Sequence, residues 1–362
     1  MPFSGIGRYI VGIAQALATR GHRIVLYLPA PPHRTVPTID WADIVRTSTA
    51  TSLVTRLIWT QTTLPAQARR DGLDLFWGPA HRLPWASIDS VPRVITIHDL
   101  VWRHAADTMR WRTYLGEALL MRRSVAQADL VLVDSNATGA DLRSLLPHLT
   151  AQVGTVYPGH GAPPPADAPA DDDDYLLFVG TLEPRKNLKR LLGAWQSLPS
   201  ECTRRTRLLI VGAKGWGGKK DSDMSAFSDD PSIVLKGFVS ESELNTLYAG
   251  ARGLVMPSLY EGFGFPIIEA QARGVPVLAS NVSSMPEIAG PDAILVNPSS
   301  TSSIRGGLAT LLTLDPADRA RRQRAIENAR RFTWEKAAAD AERLFVDLIH
   351  QTKAADARPA RL

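Results

Sequence analysis

Residues 253–270 read Gly-Leu-Val-Met-Pro-Ser-Leu-Tyr-Glu-Gly-Phe-Gly-Phe-Pro-Ile-Ile-Glu-Ala, and this stretch predicts a strand, a glycine-rich loop and a helix in succession. The first four residues are apolar and form a run short enough for a buried parallel strand. Pro266 fits the start of the helix, because its missing N–H costs nothing there and its fixed φ angle suits the turn. Strands alternate with helices along both halves of the chain, which favours an α/β fold with parallel sheets.

The loop of this stretch has the properties of an anion site. The N–H groups of Gly264, Phe265 and Ile267 are expected to point out of the helix start, where the helix dipole favours negative charge. Glu261 and Glu269 flank the site, and because ionised carboxylates only accept hydrogen bonds, the pair suits a phosphate-bearing polyhydroxyl ligand such as a nucleotide sugar. The alternative is that Glu261 is a solvated loop residue and Glu269 a charge in the first helical turn that suits the dipole.

The composition is that of a globular protein large enough for two domains. The chain has 362 residues, of which 44% are hydrophobic and 21% are charged. Its one cysteine, Cys202, excludes an intrachain disulfide and fits a reducing compartment. The sequence has neither an apolar run of membrane-spanning length nor a secretory signal pattern, so we expect a cytoplasmic protein.

Five further segments extend the pattern of residues 257–270. In their order and spacing they make the chain resemble the retaining glycosyltransferases of family GT4, whose Glu-x7-Glu motif matches Glu261 to Glu269. The likeness covers nearly the whole chain and is closest to bacterial mannosyltransferases that build O-antigen and related surface polysaccharides. The segments are Ser4-Gly5-Ile6-Gly7-Arg8-Tyr9, Ile97-His98-Asp99-Leu100, Val179-Gly180-Thr181-Leu182-Glu183-Pro184-Arg185-Lys186-Asn187, Val211-Gly212 and Gly237-Phe238-Val239-Ser240.

The resemblance implies the GT-B fold, with two Rossmann-like, doubly wound α/β domains that face each other across a cleft. A proline-rich, acidic change in composition marks the predicted boundary between them. The predicted parts are an acceptor-side domain at 1–165, a linker at 166–174, a nucleotide-sugar domain at 175–333, a helix at 334–352 that crosses back to the first domain, and a disordered tail at 353–362.

The resemblance also implies a role for each residue that matches the family's motifs. Glu261 would accept hydrogen bonds from sugar hydroxyls and orient the donor, and Glu269 would accept from the ribose. Backbone groups around Val239 would hold the nucleotide base. No carboxylate nucleophile is identifiable in the sequence, so front-face attack on an oxocarbenium-like centre near His98 is the expected mechanism.

Positive charge for the departing diphosphate is expected from Arg185 and Lys186, together with the helix start at Gly264 and Phe265. Arginine supplies a planar fork of donors and lysine a point charge. The alternative is a pair of solvated bases at a helix start. Many family members have Gly-Arg at the end of this strand, where the present chain has Gly180-Thr181, and Arg185 is the candidate for the missing charge.

The first domain contributes His98 and two glycines to the candidate site. His98 follows the strand predicted at 93–97, and ligands of open α/β sheets bind beyond the carboxyl ends of strands. A lone histidine is more often structural, but the resemblance places His98 against the transferred sugar, as a catalytic residue beside Glu261. Gly5 and Gly7 predict a glycine-rich turn before a helix, either for phosphate binding or for the turn alone.

The strand that normally precedes this glycine-rich turn in the family is missing from the sequence. Because the first strand of a doubly wound sheet is central, its absence predicts an open slot with unpaired backbone on both sides. We expect either a native start upstream or another segment of the chain in the slot.

Residues 109–127 predict a basic helix with Trp111 and Leu115 on its apolar stripe, in a first half (residues 1–170) that contains 16 arginines, no lysine and 12 acidic residues. Such a helix can lie on an anionic membrane surface, here the inner face of the plasma membrane. The alternative is a core helix with snorkelling arginines. No nucleic-acid-binding motif is present.

The four aspartates at 171–174 contain the Asp-x-Asp pattern of metal-dependent glycosyltransferases. A like-charge run in a linker is usually solvated, and related GT-B enzymes need no metal, so we expect no metal or other cofactor besides the nucleotide-diphosphate sugar. The expected reaction is retaining transfer of a hexose, mannose from GDP-mannose by family likeness, to a saccharide or lipid-linked saccharide. The alternatives are a GDP-D-rhamnose or UDP-sugar donor, a glycoside hydrolase, an epimerase, and an inactive partner subunit of a polysaccharide assembly complex.

Overall fold

The computed structural model describes residues 5–31, 39–50, 52–86, 88, 91–105, 111–161, 174–213, 215 and 230–356. The chain divides into two compact units. Unit 1 comprises Met1–Leu100, Trp111–Gly159 and Thr333–Leu362, and unit 2 comprises Val101–Arg110 and His160–Phe332. The linker predicted at 166–174 lies outside the described residues except for Asp174, as does most of its aspartate run.

Unit 1 contains two parallel sheets. Its strands are β1 (Val25–Leu28), β2 (Ile44–Thr47), β3 (Phe76–Gly78), β4 (Arg93–Ile97), β5 (Leu130–Val133) and β6 (Gln152–Thr155). One sheet pairs β1 with β2, and the other has the order β3-β4-β5-β6. Val94 lies opposite Leu130 and Ile97 opposite Val133, and such uninterrupted apolar runs are typical of strands buried on both faces. Within the described ranges, no strand joins the two sheets.

The helices in this part of the chain include counterparts of those predicted at 109–127 and 334–352. They are α1 (Gly5–Thr19), α2 (Leu53–Gln61), α3 (Thr63–Arg70), α4 (Val101–His104, in unit 2), α5 (Trp111–Ala126), α6 (Asn136–Leu145) and α14 (Trp334–Asp356). Residues 53–70 form two helices and not one, because Thr62 leaves helical geometry at φ −120° and ψ −62°. In the described parts of the chain, no helix is both long and apolar enough to cross a membrane.

The core of unit 1 joins the first and last helices. Tyr9, Ile13 and Leu17 recur at helical spacing on α1 and are buried. They share a cluster with small residues of α14, among them Ala338 and Ala341, which let the two helices approach closely. Because α14 is helical to Asp356, the tail predicted from residue 353 is wrong for its first four residues, and residues 357–362 lie outside the described ranges.

Unit 2 contains one parallel sheet. Its strands are β7 (Asp174–Val179), β8 (Thr206–Val211), β9 (Ile233–Gly237), β10 (Gly253–Met256), β11 (Val277–Ser280) and β12 (Ile294–Val296). The strand order is β12-β11-β10-β7-β8-β9. The direction of winding reverses between β7 and β10, and ligands of doubly wound sheets bind outside the carboxyl ends of the strands at such a switch point. The loops that follow β7 and β10 are therefore the expected binding loops.

Helices cover the sheet of unit 2 and complete its core. They are α7 (Leu188–Gln196), α8 (Ser200–Arg205), α9 (Glu241–Gly250), α10 (Phe265–Gln271), α11 (Met285–Ala289), α12 (Thr301–Thr313) and α13 (Arg319–Ala329), with a 3-10 turn at Pro184–Lys186. Trp195 of α7 is fully buried, and its indole N–H donates to Ser232 Oγ at 2.9 Å. The fold class is the doubly wound α/β class that the sequence predicts.

Alanine substitutions at two adjacent glycines of α12 test this packing. A Cβ added at Gly307 would lie 2.8 Å from Leu278 Cδ1, whereas one added at Gly306 meets no atom within 4 Å. Gly307→Ala is expected to lower the free energy of unfolding by about 1–3 kcal/mol through overpacking. Gly306→Ala is expected to raise it by about 0.5–1 kcal/mol, since alanine loses less backbone entropy in a helix. Urea unfolding measures both, and equal shifts would contradict the packing of α12.

Candidate active site

A buried cluster of charged side chains lies at the switch point of unit 2. Glu261, in the loop after β10, is only 6% exposed. Its Oε1 accepts a hydrogen bond from Lys186 Nζ at 2.6 Å, and its Oε2 accepts one from an Arg185 amino group at 2.7 Å. Arg185 Nε also donates to Glu183 Oε2, at 3.2 Å. The structure thus joins two residues of the turn after β7 to one residue of the loop after β10.

Hydrogen bonds to the backbone hold both loops in place. The N–H of Leu259 donates to the carbonyl of Arg185 at 2.8 Å. Asn187 has a left-handed backbone, which asparagine tolerates, and its side-chain amide donates to the carbonyls of Pro257 and Pro298 at 2.9 and 2.7 Å. Ser284 Oγ binds the carbonyls on either side of Gly262, at 2.9 Å each. We did not assign Asn187 and Ser284 from the sequence, because their partners are distant along the chain.

The charges of the cluster keep Glu261 ionised. Burial alone would raise the pKa of its carboxyl group, but Arg185 and Lys186 outweigh that effect and lower the pKa to about 2. The alternative that Glu261 is a solvated loop residue is therefore wrong. Each carboxylate oxygen has a second lone pair, so Glu261 can still accept a hydrogen bond from a ligand while it holds the two cations.

The helix start after this loop differs from the prediction in two respects. Gly264 caps α10 with φ 109°, and Phe265 is the first helical residue. The N–H of Ile267 donates to the carbonyl of Gly264 at 3.0 Å, so it does not point at a ligand. Glu269 lies in the second turn of α10 and not in the first. Its Oε2 accepts a hydrogen bond from the hydroxyl of Tyr248 at 2.8 Å, a partner that we did not predict.

Val239 lies just before a helix, whereas Gly5 and Gly7 lie in the first turn of one. Val239 is buried in the connection between β9 and α9, next to Phe238, which is 63% exposed. Gly5 and Gly7 are part of α1, so the glycine-rich turn predicted to precede that helix is wrong. Both glycines belong to its first turn. They lie in unit 1, together with His98.

His98 lies in a buried polar group of unit 1, just beyond the end of β4. Its Nδ1 is 2.7 Å from Asp134 Oδ2, and its Nε2 is 2.8 Å from the carbonyl oxygen of Pro79. Tyr9 packs edge-on against the imidazole, with ring centroids 4.7 Å apart. Ser135, the next residue after Asp134, caps α6 by accepting a hydrogen bond from the N–H of Thr138.

Two acceptors facing one imidazole favour its charged form, in which both nitrogens are donors. Burial alone would lower the pKa of His98, but Asp134 and the carbonyl of Pro79 raise it overall. Both ring nitrogens of His98 therefore face acceptors, and burial raises the pKa of the Asp134 carboxyl group that faces one of them. Among the residues that the structure describes, no group of three or more His, Cys, Asp or Glu side chains could hold a metal ion.

Solved structures establish the class of the fold. A sucrose-phosphate synthase from Thermosynechococcus elongatus is 21% identical and superposes with a TM-score of 0.75 over 96% of this chain and 94% of that chain. The Anabaena protein HepE, in complex with UDP-glucose, is 16% identical with a TM-score of 0.66 over 97% and 95% of the two chains. At such identities the likeness shows the fold alone, which is the GT-B fold predicted from the sequence.

Sequence comparisons establish the family. The family model described as "Glycosyltransferase Family 4" matches residues 3–160, and the model described as "Glycosyl transferases group 1" matches residues 164–332. The chain belongs to the family 4 glycosyltransferases, as its motifs predict. The O-antigen chain mannosyltransferase B of Escherichia coli is 38% identical over 165 residues, which are 44% of this chain and 42% of that protein. The chain thus matches less than half the length of this relative.

The charged cluster predicts a pH-dependent loss of stability in Glu261→Gln. At neutral pH the variant is expected to lose about 3–5 kcal/mol of unfolding free energy, because Lys186 and Arg185 lose their carboxylate. The folded pKa of about 2 is below the usual 4.5, so the carboxylate's contribution is complete above pH 4.5 and is lost as the pH falls towards 2. The stability difference between the native chain and the variant, measured by urea unfolding, should therefore shrink across this window. A difference that stays constant across it would contradict the assigned ion pairs.

Proposed function

We propose that the protein is a retaining hexosyltransferase that moves mannose from GDP-mannose to a saccharide or lipid-linked saccharide in the synthesis of a bacterial surface polysaccharide. The observation that carries this proposal is the pairing of Arg185 and Lys186 with Glu261 at the switch point of unit 2. The choice of mannose rests on the relative named as an O-antigen chain mannosyltransferase.

The cluster supplies fixed positive charge beside a helix start. When the bond between the sugar and the diphosphate breaks, negative charge grows on the leaving phosphate, and donors that are already in place stabilise it without reorganisation. Glu261 and Glu183 hold the cations before the donor binds. Glu261 would also accept from a sugar hydroxyl. Because Arg185 and Lys186 provide the charge, we propose that the transfer needs no metal ion.

For His98 we propose a contact with the transferred sugar through the imidazolium form. Both of its ring nitrogens already face acceptors in unit 1, so a sugar hydroxyl would compete with the carbonyl of Pro79 for the Nε2 proton. Asp134 would keep the ring charged and oriented throughout. We do not assign His98 the role of general base, in keeping with front-face attack by the acceptor hydroxyl.

The binding of nucleotides tests the proposal. Isothermal titration with GDP, UDP and their sugar conjugates, in the presence of EDTA, should give micromolar binding of GDP or GDP-mannose. Selective binding of UDP would leave the proposed reaction class unchanged but would rule out mannose from GDP-mannose as the transferred sugar. UDP-glucose is the nucleotide sugar in the HepE complex. Binding only after a divalent cation is added would contradict metal independence.

Lys186→Ala should weaken donor binding and lower the transfer rate by about 100-fold or more, since it removes a fixed charge next to the leaving group. Lys189→Ala is the matched control, because Lys189 is an exposed lysine three residues further along. The release of labelled sugar into acceptor product measures both variants, and circular dichroism confirms that they are folded. Equal activity of the two variants would overturn the role of Lys186.

Analysis of the reaction products distinguishes the alternative functions. Free sugar without acceptor would indicate a hydrolase, and an altered donor sugar would indicate an epimerase. Donor binding without turnover on any lipid-linked saccharide would favour the inactive partner subunit. GDP-D-rhamnose is the second donor to test beside GDP-mannose.

We further propose that unit 1 binds an anionic membrane surface where a lipid-linked acceptor would lie. Helix α5 buries Met121 and Val125 but exposes 68% of Leu119. Arg123, four residues after Leu119, stacks on Trp85, which is 47% exposed. Exposed apolar residues and arginine side by side are typical of interfacial helices. The predicted stripe at Trp111 and Leu115 lies on side chains that the structure does not describe.

Co-sedimentation with vesicles tests the membrane proposal. The chain should bind vesicles with phosphatidylglycerol several-fold more strongly than neutral phosphatidylcholine vesicles, and salt should weaken the binding. Leu119→Glu should reduce it, whereas Leu295→Glu, at an exposed leucine of unit 2, should not. Equal binding to both kinds of vesicle would contradict the proposal.

A further inference from the structure

The hydroxyl of Tyr248 makes a specific contact with the carboxylate of Glu269. Tyr248 lies on α9, is 1% exposed, and donates to Glu269 Oε2 at 2.8 Å. A phenylalanine would fill the same space, so the hydroxyl is needed only for a polar partner. The contact joins two helices that precede and follow β10, the strand that leads to the candidate site.

Arg273 packs over the ring of Tyr248. Its guanidinium carbon lies 5.3 Å from the centroid of the Tyr248 ring. One amino group donates to the carbonyl of Glu269 at 2.7 Å, and the other donates to Asn245 Oδ1. Arg273 therefore touches the backbone of Glu269, the ring that binds its carboxylate, and the helix that carries that ring. These contacts leave Tyr248 little freedom to move away from Glu269.

A glutamate on a short helix has several rotamers, and ordering it when a ligand binds costs free energy. The hydrogen bond from Tyr248 orders the side chain beforehand, so that this cost is not paid at the moment of binding. The bond to Oε2 also fixes the direction in which the carboxylate presents its other lone pairs. Such an arrangement is suited to a ligand with two neighbouring hydroxyl groups.

We infer that Tyr248 and Arg273 are positioning residues that hold the Glu269 carboxylate in the orientation in which it accepts the ribose hydroxyls of a nucleoside diphosphate. This inference rests on the proposed function, in which Glu269 binds the ribose. Tyr248 acts through Glu269 and does not touch the nucleotide. The contribution of its hydroxyl to affinity is therefore confined to nucleotides that carry ribose hydroxyls.

The purely structural reading is that Tyr248 ties α9 to α10. The structure provides a matched control for it. The hydroxyl of Tyr175 donates to the carbonyl of Leu247 at 2.8 Å, which is the residue next to Tyr248 on α9. Tyr175→Phe thus removes a tyrosine hydroxyl that binds the same helix but does not contact Glu269.

The experiment compares the dissociation constants of GDP and 2′,3′-dideoxy-GDP for the native chain, Tyr248→Phe and Tyr175→Phe, by isothermal titration. Tyr248→Phe should bind GDP about tenfold more weakly, because the Glu269 side chain must then be ordered when the nucleotide binds, and it should bind the dideoxy nucleotide with unchanged affinity. Tyr175→Phe should bind both nucleotides like the native chain. Thermal unfolding of the two variants shows whether each remains folded.

Two outcomes would overturn the inference while leaving the proposed function intact. One is native affinity of Tyr248→Phe for GDP, and the other is an equal loss of affinity for GDP and its dideoxy analogue, which identifies a structural tether. If the native chain binds neither GDP nor UDP, the proposed function fails, and the inference fails with it. If the native chain prefers UDP, the same comparison with UDP and 2′,3′-dideoxy-UDP decides the question.

Discussion

The arrangement of unit 2 depends on a carboxylate that is buried between two cations. Glu261 would be costly to bury alone, because an isolated charge loses its hydration without compensation. Lys186 and Arg185 make its burial possible, and they lie 75 and 76 residues away in the sequence. The ion pairs therefore fix the loop after β10 against the turn after β7, across the point where the sheet reverses its direction of winding. Asn187 and Ser284 reinforce the same junction from the backbone side.

Much of this architecture could be read from the sequence because it depends on local patterns. The apolar runs at β4 and β10 predicted the limits of these strands directly, since strands buried on both faces show no alternation of apolar and polar residues. The motif around Glu261 indicated the family, and Arg185 and Lys186 were predicted to supply positive charge for the departing diphosphate. Their direct contact with Glu261 was not predicted, because no local pattern reports which loops a parallel sheet brings together.

The errors have physical causes of the same kind. Ile267 was expected to offer its N–H to a ligand, but the left-handed backbone of Gly264 turns a carbonyl towards it. The contact between Asp134 and His98, 36 residues earlier, was not predicted, because only the fold brings the ends of β4 and β5 together. Tyr248 and Arg273 carried no signal at all, since their positions on a helix and at a helix end are ordinary. Their importance comes from Glu269, which only the packing of α9 against α10 reveals.

The union of the first and last helices in unit 1 has a consequence for how the chain acquires its structure during synthesis. Arg20 binds Glu342 across 322 residues of sequence, and Tyr9 shares a core with Ala341. On the ribosome, α1 therefore emerges long before the helix that covers its apolar face. The uninterrupted segment from His160 to Phe332 can complete its own core first. The apolar face of α1 stays exposed until α14 has been synthesised. Unit 1 is therefore expected to fold more slowly than unit 2 and to be more prone to aggregation while it folds.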